Sequence, residues 1–177
     1  MRWLKLIGCS ALLWVGCEPR LPELDALREQ QKELRKLLNA EGPQSTAFMT
    51  AALNLVRAEE AFAAKYPNHP EVPNLLIEAA EIYATYFGDV PKAVQLLRSV
   101  DLRFRQKSAY APRALFYEAF LYENMLSDTA TARERYEAFL RYYPDHELAQ
   151  EARLSLQNLG KPPEQLLQEI LQKKAPQ

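Results

Sequence analysis

Few side chains in this sequence have wide chemical range, and they are far apart. Cys9 and Cys17 both fall in the opening segment of the 177 residues, and no cysteine follows. With the segment before Cys17 removed, one thiol is left; it cannot close an internal disulfide, and no neighbouring His or Cys completes a zinc site. His69 and His146, the only histidines, sit in equivalent turns. With helices packed ~8–10 Å apart those turns stand roughly 20 Å from one another, too far to share a metal. Adjacent carboxylates such as Glu59-Glu60 leave a helix on different faces and read as solvated charges, not as an acid–base pair. There is no glycine-rich phosphate loop, GxSxG, CxxC or HExxH. Without a nucleophile beside a base, the chain is not expected to be an enzyme or to hold a metal or cofactor. A formal net charge of −1 gives no basic field for nucleic acid.

The chemistry left to explain is that of Cys17. Arg2 and Lys5 precede an apolar run from Leu6 to Val15, and apolarity stops after Gly16-Cys17. Ten apolar residues are about half of what a membrane-spanning helix needs, but suit the apolar region of a secretory signal, here 1–16. Trp14-Val15-Gly16-Cys17 resembles a bacterial lipobox, with tryptophan where leucine is usual. The resemblance implies that Cys17 becomes the N-terminus and carries the diacylglyceryl and palmitate-type acyl chains. An ordinary signal peptide cut beyond Cys17 is the alternative. Glu18 after the cysteine implies the periplasmic face of the outer membrane. Removing 1–16 takes away Arg2 and Lys5 and leaves a formal charge of −3, so the lipid would do the anchoring.

Residues 17–22 then form a proline-bearing tether. From 23 to 43 the composition is helical, with Leu24, Leu27, Leu34 and Leu38 at a/d-like spacing, Gln31 at the intervening a position, and Gly42-Pro43 as the stop. Such a stripe packs on a neighbouring helix or self-associates. A second helix should start after Ser45 as N-cap and end near Tyr66, before Pro67.

The segment 44–160 repeats itself. Glu71 to Phe104 overlies Tyr110 to Tyr143 at a constant offset of 39: Pro73 meets Pro112, Ala80 Ala119, Tyr83 Tyr122, Asp89 Asp128, Ala93 Ala132, and Val100 Phe139. Tyr66-Pro67-Asn68-His69 returns as Tyr143-Pro144-Asp145-His146. Each unit reads helix, tight turn, helix, with small residues where the helices approach and Tyr83, Leu97, Tyr122 and Tyr136 filling between them. A further half-repeat runs from about His146 to Leu159. After Lys161-Pro162-Pro163, a short helix within 161–177 (Leu166, Leu167, Ile170, Leu171) would cap the stack.

Ala80-x2-Tyr83…Ala93-x3-Leu97 and Ala119-x2-Tyr122…Ala132-x3-Tyr136…Pro144 resemble the tetratricopeptide repeat, although alanine replaces glycine and the period exceeds the usual ~34. With the lipobox, the chain resembles small bacterial tetratricopeptide-repeat lipoproteins, similar to envelope repeat proteins of the BamD and CpoB type. The implied fold is an all-α, right-handed helix-turn-helix solenoid. The implied function is an envelope scaffold or adaptor in outer-membrane protein assembly or division coordination; a self-associating structural lipoprotein is the alternative. The register of the repeat puts Arg113, Phe116, Phe120, Glu123 and Asn124 on the concave groove, with Asn74, Ile77, Glu81, Ala84 and Thr85 one repeat earlier. These residues would bind an envelope protein or peptide segment, while the lipid binds the membrane. Arg98, Arg103, Arg105, Lys107 and Arg113 form a basic cluster opposed only by Asp101: a solvated turn, or a docking patch for an acidic partner or headgroup.

Overall fold

A computed structural model describes residues 21–162 and, beyond them, 164, 165, 168 and 171. The proposed signal, Cys17, and Leu166, Leu167 and Ile170 of the capping helix lie outside the described residues. Among the described residues seven α-helices follow one another: α1 (Pro22–Glu41), α2 (Thr46–Lys65), α3 (Val72–Ile82), α4 (Val90–Phe104), α5 (Ala111–Asn124), α6 (Thr129–Tyr142) and α7 (Ala149–Asn158). A π-helical turn, Tyr83–Phe87, extends α3. No strand occurs among the described residues, and no helix there is long and apolar enough to cross a membrane. Each helix packs mainly on the one before it and the one after it. The fold is an all-α, tetratricopeptide-like solenoid.

The offset of 39 is a structural repeat. Helices α3 and α4 begin at Val72 and Val90, and α5 and α6 begin at Ala111 and Thr129. Ala80, Ala93, Ala119 and Ala132 are fully buried, as are Leu97, Val100, Tyr136 and Phe139. The two intra-repeat corners match atom by atom. Gly88 (φ 64°) and Ser127 (φ 54°) both turn left-handed. The N–H of the following aspartate donates to Tyr83 O at 3.0 Å in the first unit and to Tyr122 O at 2.8 Å in the second. Asp89 and Asp128 then cap α4 and α6, accepting from Lys92 N at 3.1 Å and Thr131 N at 3.0 Å.

Helix α1 lies on α2, with Leu27 and Leu34 buried against it. Leu24 and Leu38, the other positions of that stripe, are half-buried and pack against the same core. Ser45 caps α2 as expected, its Oγ accepting from Phe48 N at 3.1 Å. Apolar burial divides into a larger cluster over α1–α4 and a smaller one over α5–α7. Helix α5 belongs to both: Ala114 and Leu121 face the first, Leu115 and Ala119 the second.

Candidate functional site

Alternation of antiparallel helices puts α1, α3 and α5 on one side of the stack, and a cleft of ≈ 520 Å³ opens between them. Its floor is apolar: Leu34 and Leu38 from successive turns of α1, Phe48 and Leu55 from α2, and Ile82 and Tyr86 from the third helix and its π turn. The Phe48 and Tyr86 rings meet edge-on at 4.7 Å. Gln31, Arg35, Glu78, Glu81, Thr85 and Tyr117 supply a hydrogen-bonding rim. Within the π turn, Tyr86 faces this cleft while Tyr83 faces away and donates its hydroxyl to Glu60 at 2.8 Å.

A polar cluster lies beside the apolar floor and joins three helices. Gln31 Nε2 of α1 donates to Glu59 Oε1 of α2 at 3.1 Å and also to Glu78 Oε2 of α3. Asn74 Nδ2 donates to the other oxygen of Glu78 at 3.0 Å. Glu59 is fully buried, contrary to its expected place among solvated charges, because α1 closes over this face of α2. Burial raises its pKa to about 8, against the lowering effect of the Gln31 hydrogen bond, and Glu78 adds repulsion. Burial likewise raises Glu78. Glu60 is also partnered: Lys92 Nζ approaches its carboxylate at 2.5 Å.

The residues expected on the groove divide in two. Arg113 and Glu81 form an ion pair from α5 to α3, and Glu81 lines the cleft. Phe120 is 41% exposed and stacks on Tyr117, centroids 5.9 Å apart. Asn124 and Thr85 are exposed and Asn74 is half-buried. A second set is turned inward. Ile77 is fully buried and Ala84 nearly so, because that stripe of α3 packs into the larger core. Phe116 is half-buried, its ring edge-on to Tyr136 and Phe139 of α6 at 5.6 and 5.7 Å. Glu123 is committed to Tyr136, whose hydroxyl donates to it at 2.8 Å. Those positions support the fold, and the groove as expected narrows to Glu81, Thr85, Arg113 and Phe120. Other cleft residues were missed: Gln31, Arg35, Glu78, Tyr86 and the floor beneath them. Gln31, polar at a core-facing position, is the signal that pointed there; its partners lie 28 and 47 residues away.

The histidines repeat one turn geometry. Nδ1 of His69 accepts from Glu71 N at 3.2 Å, and Nδ1 of His146 from Leu148 N at 3.1 Å. Each ring stands edge-on to a phenylalanine, Phe62 and Phe139 respectively. Among the described residues no three His, Cys, Asp or Glu side chains converge to hold a metal. The basic cluster also divides. Arg105 pairs with buried Asp101 at 2.5 Å and lies over the Tyr142 ring, Arg113 is held by Glu81, and Arg103 donates to Pro67 O at 2.8 Å.

Residues 113–146 match the family model described as tetratricopeptide repeat. That span is most of α5, the corner at Ser127-Asp128, α6 and the Tyr143–His146 turn, and it contains Ala119, Tyr122, Ala132, Tyr136 and Pro144. No curated protein and no solved structure gives a significant match. Fold and family match agree on a tetratricopeptide-like solenoid; tetratricopeptide repeats are in general protein–protein interaction modules and non-catalytic.

Proposed function

We propose that this protein is a lipid-anchored scaffold of the bacterial cell envelope, held to the periplasmic face of the outer membrane through acylated Cys17, and that the cleft between α1, α3 and α5 takes a segment of a partner protein. The observation that carries the reading is the cleft itself: an apolar floor with a rim of hydrogen-bonding groups, on the side of the stack formed by the first helix of each pair. Apolar anchors ringed by polar contacts are the usual composition of a binding hot spot. Lipobox and signal support the anchor; outer-membrane assembly and division coordination are the processes the resemblance favours.

A photo-crosslinking side chain at Thr85, inside the cleft, should give a discrete protein adduct in intact cells. The same group at Ala130, exposed at the α6 start, should not. Combining Thr85 labelling with Phe120→Ala and Arg113→Ala should remove the adduct while the thermal midpoint barely moves, since both side chains reach solvent. Equal adducts at the two positions would sink the groove. For the anchor, Cys17→Ser should release the protein from the membrane fraction and Cys9→Ser should not.

A further inference from the structure

At one pole the fold gathers two exposed cations around a concavity that no carboxylate lines. Antiparallel alternation brings the start of α1, the ends of α2 and α4, and the starts of α3 and α5 to one pole of the solenoid. The contacts confirm this. Glu23, in the first turn of α1, is bonded to Lys65 at 2.6 Å and Tyr66 at 3.0 Å. Arg103, in the last turn of α4, reaches Pro67 O. The 66–72 and 105–110 turns share a concavity of ≈ 510 Å³ whose lining includes His69, Arg103, Phe104, Lys107 and Tyr110 and no carboxylate. The tether meets the fold at Leu21-Pro22, on this same pole. Cys17 is four residues from Leu21, so even a fully extended tether keeps the acyl chains within about 15 Å of the pole.

We infer that this pole is a membrane-docking face: Arg103 and Lys107 bind the anionic headgroup layer, and the apolar side chains beside them enter it. Leu102, one residue before Arg103 in the last turn of α4, is 66% exposed, and Tyr110, lining the concavity, is 37% exposed; an open leucine and an amphipathic tyrosine ring suit the membrane–water boundary. None of the pole's acids lines the concavity, and Asp25, in the first turn of α1, pairs with Arg28 at 3.9 Å. Glu23 is taken by Lys65 and Asp101 is buried against Arg105. Glu71 is half-buried at the start of α3, outside the concavity. Asp145 and Glu147 lie at the third turn, and their repulsion tilts that side away. Two exposed cations would not hold a free protein to a membrane. A tether converts the contact into an intramolecular one, for which they suffice to set orientation. The cleft would then face sideways along the membrane, with the corners at Gly88 and Ser127 farthest from it. Tether and docking face are separate claims: the first rests on the lipid-anchor reading, the second on the surface, whatever means holds this pole at the membrane.

The test uses the full-length acylated protein in a Cys9→Ser background, with an environment-sensitive fluorophore on Leu102→Cys or, at the opposite pole, Ala130→Cys. Vesicles are phosphatidylcholine alone or two parts phosphatidylcholine to one of phosphatidylglycerol. We expect at least a twofold gain in emission from position 102 in the anionic vesicles only, reversed by high salt and by Arg103→Gln with Lys107→Gln, and no change at 130. Equal responses at both positions, or indifference of position 102 to phosphatidylglycerol, would overturn the docking face. If the protein floats with neither vesicle type on its own, the anchor reading fails. The docking face is then read with the chain tethered at its N-terminus by a hexahistidine tag to nickel-chelating lipid in both vesicle types, where a phosphatidylglycerol-dependent change at position 102 upholds it and no change overturns it.

Discussion

Glu59 shows what one enclosed carboxyl group does to the whole chain. In the unfolded protein it titrates near 4.5, and in the fold near 8. Between those values the native state holds the extra proton, so stability is full below about pH 4.5 and falls as pH rises towards 8. The contribution of this group is of the order of a few kcal/mol. Glu78 and Glu118 are raised by burial as well and act in the same direction. Glu59→Gln keeps an acceptor for Gln31 and removes the ionisation. Urea midpoints at pH 5, 7 and 9 should fall steeply for the parent and less steeply for the variant. Parallel slopes would show that Glu59 does not titrate in this window.

At the scale of the element, the offset of 39 lets one unit serve as the control for the other. Ser127 adopts the left-handed conformation that Gly88 adopts freely, and a non-glycine residue there costs ~1 kcal/mol. Ser127→Gly should therefore raise the thermal midpoint by a few degrees, and Gly88→Ala should lower it by a similar amount. No heavy atom lies within 4 Å of a Cβ built on Gly88, so conformation alone sets that cost. The second comparison concerns charge. Glu118, fully buried, faces Arg135 at 3.4 Å between α5 and α6; the equivalent positions one unit earlier are Ala79 and Leu96, both buried. Arg135→Leu alone would leave a buried carboxylate unpaired and cost about 3–5 kcal/mol. Glu118→Ala with Arg135→Leu restores the apolar pair of the first unit and should return stability to within ~1 kcal/mol of the parent. Denaturant titration of the single and double variants tests this coupling.

Across the whole molecule, contacts run from each helix to its sequence neighbours, so stability should decline towards both ends. Helix α7 buries only Ala149 and Ala152, and α1 only Leu27 and Leu34, whereas α3 buries eight residues. Amide hydrogen exchange should be fastest in α7, next in α1, and slowest in α3, α4 and α5. Uniform protection would mean that the stack opens as one unit.

The sequence alone determined the helices, their corners and their repeat. Those rest on local chemistry: Ser45, Asp89 and Asp128 as caps, Gly42 and Gly88 as stops, prolines in opening turns, and small residues at a constant offset. The resemblance of Trp14-Val15-Gly16-Cys17 to a lipobox was likewise read along the chain. Tertiary structure decided what depends on which surfaces close over one another. Glu59 and Ile77 became interior because α1 and the larger core cover them, Phe116 joined α6, and Gln31 found partners on two other helices. The cleft and the basic concavity share that origin, since the first collects residues from α1, α2, α3 and α5 and the second from α3, α4 and the two turns beside them. Helical periodicity says which face a side chain leaves from; only packing says what stands opposite it.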